Sequence, residues 1–419
     1  MYYERTLTET IKNISGSFPV LLVTGPRQIG KTTLLEKIKE PERKSVSLDN
    51  PTVRLAAKRD PELFLQRYSP PVLIDEVQYA PELFPYIKIL ADSRKKAGDF
   101  WLTGSQMFHL MANVTESLAG RVGIVPMLGL SNGEISGTRF GAFEMDIPEL
   151  TKRLGQARPL GVSEIFERIY KGSLPRLYEN EKTDREIYFE SYIDTYISRD
   201  IKSLDQVADE TDFIRFLQIA AARTATNVNY DTLAGEVGVS APTAKKWLSI
   251  LVSSGLIILI QPYYNNALKR VIKAPRMYFS DTGLCAHLLG WGNANVLERS
   301  SMSGAFFETW IVSEIYKSYL NAGKRPPLFF YRDSNKKEID LIISHNGVIY
   351  PIEIKKSAAP ENAVRNFSVL NPAAGTKDKK ETPDEGAFKT EVGTGGVICL
   401  SSDLIPVDKK NWLVPAWLI

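Results

Sequence analysis

The chain of 419 residues is 43% hydrophobic and 24% charged, which excludes a disordered or fibrous protein and predicts two to four globular domains. Its net charge of +3 argues neither for nor against a nucleic-acid partner. Two distant cysteines, Cys285 and Cys399, exclude a disulfide scaffold, and no metal-binding Cys/His spacing occurs. Since neither a secretory signal nor a run of the ~18–20 apolar residues that span a bilayer is evident, we expect a cytoplasmic protein without membrane contact.

A glycine-rich segment, residues 25–32, is the most informative part of the sequence. It reads Gly-Pro-Arg-Gln-Ile-Gly-Lys-Thr, follows the apolar run 20–23 and leads into a helical pattern. Such a strand–loop–helix pattern predicts a phosphate-binding loop, although a glycine-rich turn without a ligand is the alternative. Lys31 would reach the β- and γ-phosphates of ATP, and the Thr32 hydroxyl would bind Mg²⁺. The predicted nucleotide-binding residues are Gly25, Pro26, Arg27, Gln28, Ile29, Gly30, Lys31, Thr32 and Thr33.

Two carboxylates end the apolar run of residues 71–76, Pro-Val-Leu-Ile-Asp-Glu. Buried parallel strands often end in an active site, so Asp75 is predicted to hold Mg²⁺ and Glu76 to polarise the attacking water. The alternative is a strand-end acidic pair that caps the following helix. A third apolar run, residues 100–106, also ends in small polar side chains that could sense a γ-phosphate.

Strand and helix patterns alternate through the first region, residues 1–138. The alternation predicts an α/β fold in which a parallel sheet has helices on both faces and the site lies at the carboxyl ends of the strands. A helix is expected over 81–96. The predicted strands are 20–24, 45–48, 72–75, 100–104 and 122–128.

The next region, residues 139–226, has a helical pattern, with helices expected over 163–170, 184–201 and 211–223. It is predicted to form an all-α lid. No internal repeat is evident in the chain.

Residues 227–290 have the pattern of a winged helix-turn-helix. A short helix from Tyr230 and a glycine-containing turn precede a second helix, which has Ser240 at its cap and Pro242 near its start. A strand over 256–260 would form the wing. The second helix would present Thr243, Lys245 and Lys246 to DNA, or the unit is a packing module that touches no DNA.

The last region, residues 291–419, contains a second group of ionisable residues. Side chains alternate along a strand, so Glu353 and Lys355 point to the same face, and Asp340 lies in another predicted strand. If these strands are neighbours, the two carboxylates could hold a second divalent cation and the lysine could orient a water, with Glu308 completing the site. The alternative is a strand that has solvated Glu and Lys side chains.

Two further segments of this region have distinct compositions. Residues 372–395 contain few large apolar side chains and predict a surface loop or disordered insertion. The apolar residues 412–419 are expected to dock into the last domain.

Ten motifs in this order resemble the prokaryotic AAA-type ATP-binding proteins that have a winged helix and a C-terminal domain of unknown function related to the PD-(D/E)XK nuclease fold. The motifs are GPRQIGKTTLL, VLIDEVQYAPELF, WLTGSQ, ESLAGR, GSLPR, YISRDI, DTGL, FFETWIVSEI, EIDLII and IEIKKS. The resemblance spans nearly the whole chain, except for the insertion. It implies a P-loop NTPase sheet, a helical lid, a winged helix and an α/β restriction-endonuclease-like domain.

The resemblance also implies roles for individual residues. Ser105 takes a sensor position, and Arg121 is a candidate arginine finger or sensor for the γ-phosphate, unless it is a structural surface arginine. Pro175 would pack near the adenine, unless its segment is a helix-breaking turn. The four residues at the nuclease-like motif positions are Glu308, Asp340, Glu353 and Lys355.

Three functions follow from these patterns. The leading hypothesis is Mg²⁺-dependent ATP hydrolysis that repositions the winged-helix and nuclease-like domains, acting on DNA or a partner protein. The alternatives are an ATP-gated, metal-dependent DNA nuclease and a nucleotide-switched DNA-binding regulator that cuts nothing. The sequence leaves the oligomeric state and the substrate open.

Overall fold

A computed structural model describes residues 2–105, 114, 117–180, 182–196, 210–264, 274–333, 335, 337–370 and 390–419 of the protein. Two sheets organise this part of the chain: a five-stranded sheet near the N-terminus and a ten-stranded sheet that contains the remaining strands. No helix among these residues is long and apolar enough to cross a membrane.

The N-terminal sheet is wholly parallel and has the strand order β2–β3–β4–β1–β5. Its strands lie within two residues of their predicted bounds. Because successive side chains point to opposite faces, Leu21 and Val23 enter one core while Val20 and Leu22 enter another. Both faces are therefore buried, as the α/β pattern predicts. The strands are β1 (Val20–Thr24), β2 (Lys44–Ser47), β3 (Val72–Asp75), β4 (Phe100–Gly104) and β5 (Val122–Pro126).

Helices in the N-terminal region cover this sheet. Prolines occupy the first turn of two of them, after Asn50 and Asp60, whose side chains accept hydrogen bonds from the helix N–H groups. The helices are α1 (Thr8–Ser15), α2 (Lys31–Ile38), α3 (Pro51–Arg59), α4 (Pro61–Arg67), α5 (Leu83–Arg94) and α6 (Asn132–Ser136).

The middle of the chain is helical, as its pattern predicts, and its role as a lid stays a prediction. The residues after 196 of the helix expected over 184–201 lie outside the described ranges. The helices are α7 (Ile147–Leu154), α8 (Val162–Lys171), α9 (Arg176–Glu179), α10 (Arg185–Tyr196) and α11 (Glu210–Ala222).

Two helices occupy the predicted helix-turn-helix positions: α12 (Tyr230–Val237) and α13 (Ala241–Ser253). Gly238, with φ of +93°, ends the first helix, and the Ser240 side chain accepts a hydrogen bond from the Thr243 N–H at 3.3 Å. The strand predicted as a wing is β7 (Ile257–Pro262).

The ten-stranded sheet crosses the predicted domain boundary at residue 290. Strand β7 pairs antiparallel with β8, and it also pairs parallel with β9, where Gln261 lies opposite Phe329. Residues 227–290 and 291–419 are thus joined by one hydrogen-bonded sheet. The other strands are β6 (Thr226–Asn227), β8 (Arg276–Phe279), β9 (Leu328–Arg332), β10 (Glu338–His345), β11 (Val348–Lys355), β12 (Glu391–Val392), β13 (Gly395–Cys399), β14 (Ile405–Pro406) and β15 (Asn411–Pro415).

The long helix α16 (Ser303–Asn321) packs against this sheet and is buried along most of its length. It is preceded by α14 (Thr282–Leu288) and α15 (Ala294–Arg299). Strand β15 and the buried residues 416–419 place the apolar C-terminal tail in the core, as expected.

The prediction of a loop over 372–395 is wrong for Glu391, Val392 and Gly395, which lie in strands. Strand β12 pairs with β11, and Gly395 begins β13. These segments contain few apolar side chains, and their strand partners are distant in sequence. The local sequence pattern therefore did not predict the pairings. Residues 371–389 lie outside the part of the chain that the structure describes.

Candidate nucleotide-binding site and a second charged cluster

The backbone of the loop between β1 and α2 depends on two glycines. Gly25 and Gly30 have φ values of +143° and +89°, which side-chain-bearing residues rarely adopt. A Cβ atom at Gly25 would also lie 2.0 Å from the Met127 carbonyl oxygen. Gly30 precedes the first turn of α2, whose N–H groups have no intrahelical acceptors. The loop therefore leads into a helix N-terminus that can bind an anion.

Lys31 is buried and lies across this loop. Its ammonium group donates hydrogen bonds to the carbonyl oxygens of Gly25 and Pro26, at 3.0 and 2.7 Å. The lysine is thereby held within the turn that would surround a phosphate chain. Arg27 donates to the Tyr79 hydroxyl at 3.2 Å. Ile29, like Gly25 and Pro26, is buried, whereas Gln28 and Thr33 are exposed.

Asp75, at the carboxyl end of β3, accepts hydrogen bonds from three hydroxyl groups. Thr32 donates to its Oδ1, Thr103 donates to the same oxygen at 2.7 Å, and Ser47 donates to Oδ2 at 2.9 Å. These side chains come from α2, β4 and β2, the neighbours of β3 at this edge of the sheet. The structure thus brings together Thr32 and Asp75, the two residues predicted to hold Mg²⁺.

Glu76 follows directly and has a different environment. Its φ of +55° turns the chain out of the strand, and its N–H donates to the Thr103 hydroxyl at 3.0 Å. Its Oε2 accepts hydrogen bonds from the Ser105 hydroxyl, at 3.1 Å, and from the Gln78 amide. Glu76 and Ser105 are therefore neighbours at the end of the sheet where the loop also lies.

A divalent cation fits the donor chemistry around Thr32 and Asp75. Carboxylate and hydroxyl oxygens are the donors that Mg²⁺ prefers, and Mg²⁺ in nucleotide sites needs few protein ligands because phosphates and water complete its shell. Over the ranges given above, no group of three or more His, Cys, Asp or Glu side chains could hold a metal by itself. The site thus fits an ion that arrives with a nucleotide.

Arg5, which was not predicted, holds the loop in place through hydrogen bonds. Its guanidinium is buried and donates to the carbonyl oxygens of Ile29 and Leu128, at 2.9 and 2.7 Å, while its Nε lies 3.1 Å from Glu134. It therefore fixes the loop against the segment after β5. Ser47 and Gln78 were not predicted either: Ser47 reaches Asp75 only through the pairing of β2 with β3, whereas Gln78 lies two residues after Glu76 in the same turn.

Within this chain Arg121 lies away from the site, which fits the alternative of a surface arginine; its role as an arginine finger or sensor stays a prediction. It immediately precedes β5, whereas the loop follows β1, and β1 and β5 are parallel and in register. Their length separates Arg121 from the loop by roughly 15 Å. Its guanidinium pairs with Asp92 at 2.9 Å. Within one chain Arg121 therefore cannot contact a γ-phosphate held by the loop.

The segment around Pro175 is close to the loop. Pro175 precedes α9, and the Ser173 N–H and hydroxyl both donate to Asp281 at 2.6 Å. The Leu130 N–H donates to the Ser173 carbonyl at 2.7 Å. A small pocket is formed here by the loop, this segment and the start of α14; it is lined by Pro26, Ile29, Gly129, Ser173, Leu174, Tyr192, Leu256, Ser280, Asp281 and Leu284.

The turn before the predicted wing touches the loop of residues 25–32 directly. At Gly255, whose φ is +76°, a Cβ atom would lie 2.9 Å from Cδ of Pro26. The Ser280 hydroxyl donates to the Gly255 carbonyl at 2.6 Å, and Ser313 of α16 donates to the Ser280 carbonyl at 2.8 Å. A chain of contacts therefore joins the loop to the long C-terminal helix.

The four residues at the nuclease-like positions do converge. The Lys355 ammonium lies 2.6 Å from Glu353 and 3.6 Å from Asp340. Glu308, on α16, and Asp340 share a neighbour, Arg276 of β8, whose NH1 lies 3.3 Å from Glu308 and 3.9 Å from Asp340. Arg276 was not predicted. The cluster therefore contains two cationic side chains.

Burial raises the pKa of both Glu308 and Glu353 to about 7, and the charge of Asp340 contributes to each shift. Tyr278 donates to Glu308 at 2.8 Å. Burial alone would lower the pKa of Arg276, but Tyr278 and the neighbouring carboxylates raise it above its ordinary value.

The residues predicted to contact DNA lie on α13. Lys245 and Lys246 are exposed, and Thr243 is half-buried near the start of the helix. Ala244 and Trp247, between and beside them, are buried in the core. The lysines thus occupy the outer face of a helix whose inner face is packed.

Three domain families match successive parts of the chain. Residues 17–136 match an AAA domain (AAA_14), residues 162–295 match a domain of unknown function (DUF8612), and residues 303–419 match another (DUF4143). The AAA match agrees with the expected AAA-type ATP-binding domain. The winged-helix and nuclease-like assignments stay predictions.

Solved structures with a related arrangement have low overall similarity. The Walker-type ATPase PABY2304 of Pyrococcus abyssi is 15% identical, with a TM-score of 0.41, over 68% of this chain and 96% of its own. The RuvB Holliday junction branch migration motor of Thermotoga maritima is 17% identical, with a TM-score of 0.28, over 63% of this chain and 92% of its own.

Two curated proteins are more closely related in sequence. The uncharacterized proteins Rv2008c of Mycobacterium tuberculosis and Mb2031c of Mycobacterium bovis are each 30% identical over 346 residues, which cover 82% of this chain and 71% of theirs. The chain therefore belongs to the same family as these two mycobacterial proteins, and it contains an AAA domain in its N-terminal third.

Proposed function

We propose that the protein binds Mg-ATP at the loop of residues 25–32 and hydrolyses it. The observation that carries the proposal is the meeting of three features at one sheet edge: the glycine-dependent loop with Lys31, the Thr32–Asp75 pair, and Glu76 beside Ser105. The AAA match over residues 17–136 supports the same function.

Each of these side chains has a distinct role in the proposed reaction. Loop and α2 N–H groups bind the phosphates, and Lys31 neutralises charge that develops on the β- and γ-phosphates. Thr32 and Asp75 would hold Mg²⁺, which supplies Lewis-acid stabilisation of the phosphoryl oxygens when bound. Glu76 orients the attacking water, and Ser105 fixes the position of the Glu76 carboxylate.

Replacing Lys31 tests the nucleotide site. We expect Lys31→Ala to abolish measurable Mg-ATP binding in calorimetry, because the loop then lacks its only ammonium group. Lys37→Ala is the matched control, since Lys37 is an exposed lysine on the same helix. Equal ATP affinity in both variants would exclude this site.

Nucleotide binding is proposed to move the predicted winged-helix unit. Support comes from the contact between Pro26 of the loop and Gly255, and from the hydrogen bonds that continue to α16 through Ser280. A γ-phosphate that shifts the loop would press on this turn. The helices and strands that follow would then change position relative to the AAA domain.

A second candidate is a nucleotide-switched DNA-binding regulator. The exposure of Lys245 and Lys246 on α13 favours it, because phosphate contacts dominate DNA affinity. Salt-dependent DNA binding that is unchanged when both lysines are replaced by alanine would exclude this role.

The nuclease alternative is favoured by the convergence of Asp340, Glu353 and Lys355. Arg276 counts against it, because its positive charge faces Asp340, where a metal ion would bind.

A further inference from the structure

Arg276 is an unusual residue in the second cluster because it comes from the predicted winged-helix unit. It begins β8, where it pairs with Ile260 of β7, and only 5% of its surface is exposed. Its guanidinium also stacks on Phe330 of β9, with 4.8 Å between its carbon and the ring centroid. A buried guanidinium is costly unless carboxylates surround it, so its surroundings determine whether it is tolerated.

Three carboxylates surround it. NH1 approaches Glu308 and Asp340, and NH2 lies 3.2 Å from Glu338. Glu338 also pairs with the more exposed Arg332, at 3.0 Å. Arg276 therefore occupies the space between α16 and β10 towards which the carboxylates of Glu308 and Asp340 point.

The remaining oxygens of the cluster are largely committed. Oδ2 of Asp340 accepts a hydrogen bond from the Ile354 N–H at 2.9 Å and faces Lys355. Oε1 of Glu308 accepts from Tyr278, and Oε1 of Glu353 pairs with Lys355. Oε2 of Glu353 is buried and has no hydrogen-bond partner within the described part of the chain.

The divalent cation that the nuclease resemblance implies does not fit this arrangement. Such an ion needs several carboxylate oxygens free to approach it at about 2.0–2.6 Å. Here the Arg276 guanidinium and the Lys355 ammonium already face Asp340, at 3.9 and 3.6 Å, and the guanidinium lies 3.3 Å from Glu308. The chemistry of the cluster is thus that of a salt-bridge network.

We propose that Arg276 is the resident cation of this cluster and excludes a divalent ion from it while β8 is in place. The unpaired Glu353 oxygen shows that the network leaves an acceptor unused, so the same carboxylates could bind a metal once Arg276 is removed. In the intact protein this cation is supplied by β8, which belongs to the predicted winged-helix unit.

Mn²⁺ titration of the nucleotide-free full chain, followed by the electron paramagnetic resonance signal of free Mn²⁺, tests the proposal. Arg276→Met keeps a similar volume over Phe330 and removes the charge. We expect it to gain one Mn²⁺ site per chain, at least tenfold tighter than any site in the wild type. The double variant R276M/D340N should lose the new site.

Two control variants distinguish the effect of a positive charge at position 276 from the effect of net charge. Arg276→Lys retains a cation and should resemble the wild type. Arg332→Met removes an arginine that pairs with Glu338 at the rim, and it should gain no site. A gain in R332M equal to that in R276M would overturn the proposal, because it would reflect net charge alone.

The wild type supplies a test that does not depend on the folding of R276M. The proposal requires that wild-type Mn²⁺ binding be unchanged by Asp340→Asn. A wild-type site that disappears in D340N would overturn it, as would a folded R276M chain that gains no Mn²⁺ site. Any weak site at Asp75 is common to all these variants and cancels in the comparison.

Discussion

Asp75 and Glu76 are adjacent in sequence, yet the fold gives their carboxylates different partners. Asp75 ends β3 and accepts hydrogen bonds from hydroxyl groups, including that of Thr32. Glu76, at φ of +55°, turns away towards Ser105. This divergence fits the proposed roles, in which Asp75 holds Mg²⁺ and Glu76 orients the attacking water.

Replacing Glu76 distinguishes these roles. We expect Glu76→Gln to bind Mg-ATP with nearly wild-type affinity, because the loop and Asp75 are unchanged. Its turnover should fall by about 100-fold or more, the usual contribution of a general base. Phosphate release under saturating ATP measures this, with Glu82→Gln, an exposed carboxylate nearby, as the control. Undiminished turnover in E76Q would show that another group orients the water.

Site residues could be predicted where they lie close together in the sequence. Lys31 and Thr32 belong to a local motif, so their proximity follows from the motif alone. Arg276 and Arg5 reach their partners through contacts between distant segments, and no local pattern signals them. Arg121 precedes a parallel strand and therefore lies at the end of the sheet opposite the loop, a position that the motif around it did not reveal.

At the scale of secondary-structure elements, apolar runs and caps predicted the strands of the N-terminal sheet and several helices closely. Strands β1, β3 and β4 have their predicted bounds, because buried parallel strands are continuous apolar runs. The pairing of β7 with β9 could not be predicted, since nothing in either segment specifies a partner about 70 residues away. Pairing distance thus limits what sequence patterns reveal.

Gly255 connects two segments that are distant in sequence, the turn before β7 and the loop after β1. Alanine there would adopt an unfavourable positive φ and place its methyl group against Pro26. We expect Gly255→Ala to lower Mg-ATP affinity severalfold and to destabilise the fold by roughly 1–2 kcal/mol. Calorimetry and chemical denaturation measure the two effects.

Gly290→Ala is the matched control for this variant. Gly290 has a similar φ of +69°, but an added Cβ would meet no atom within 4 Å. It should share the backbone cost and leave ATP affinity unchanged. Equal ATP affinities in the two variants would contradict coupling through the Gly255 turn.

At the scale of the whole molecule, the parts form one connected structure. A single hydrophobic core includes side chains from β1, the helical region, α13 and α16. The ten-stranded sheet continues across the predicted boundary at residue 290, and Arg276 adds charged contacts across the same junction. The cluster around Arg276 should therefore influence the stability of the whole chain.

The pH dependence of stability tests this influence. The pKa of Glu308 and of Glu353 is raised by burial from 4.5 to about 7, so the folded chain binds their protons more tightly than the unfolded chain does. These groups therefore make the free energy of unfolding fall as pH rises from about 4.5 to about 7, and they add no further change above that. For one such group the full change is on the order of 3 kcal/mol.

Denaturant unfolding of the wild type and of E308Q/E353Q, between pH 5 and pH 8, measures this contribution. Glutamine does not titrate, so we expect the stability difference between wild type and variant to shift in favour of the variant as pH rises. This pH dependence should be confined to pH values below about 7. Above that pH, both carboxylates are ionised in the folded and in the unfolded chain. A difference independent of pH would show that these buried groups do not hold protons in the folded chain.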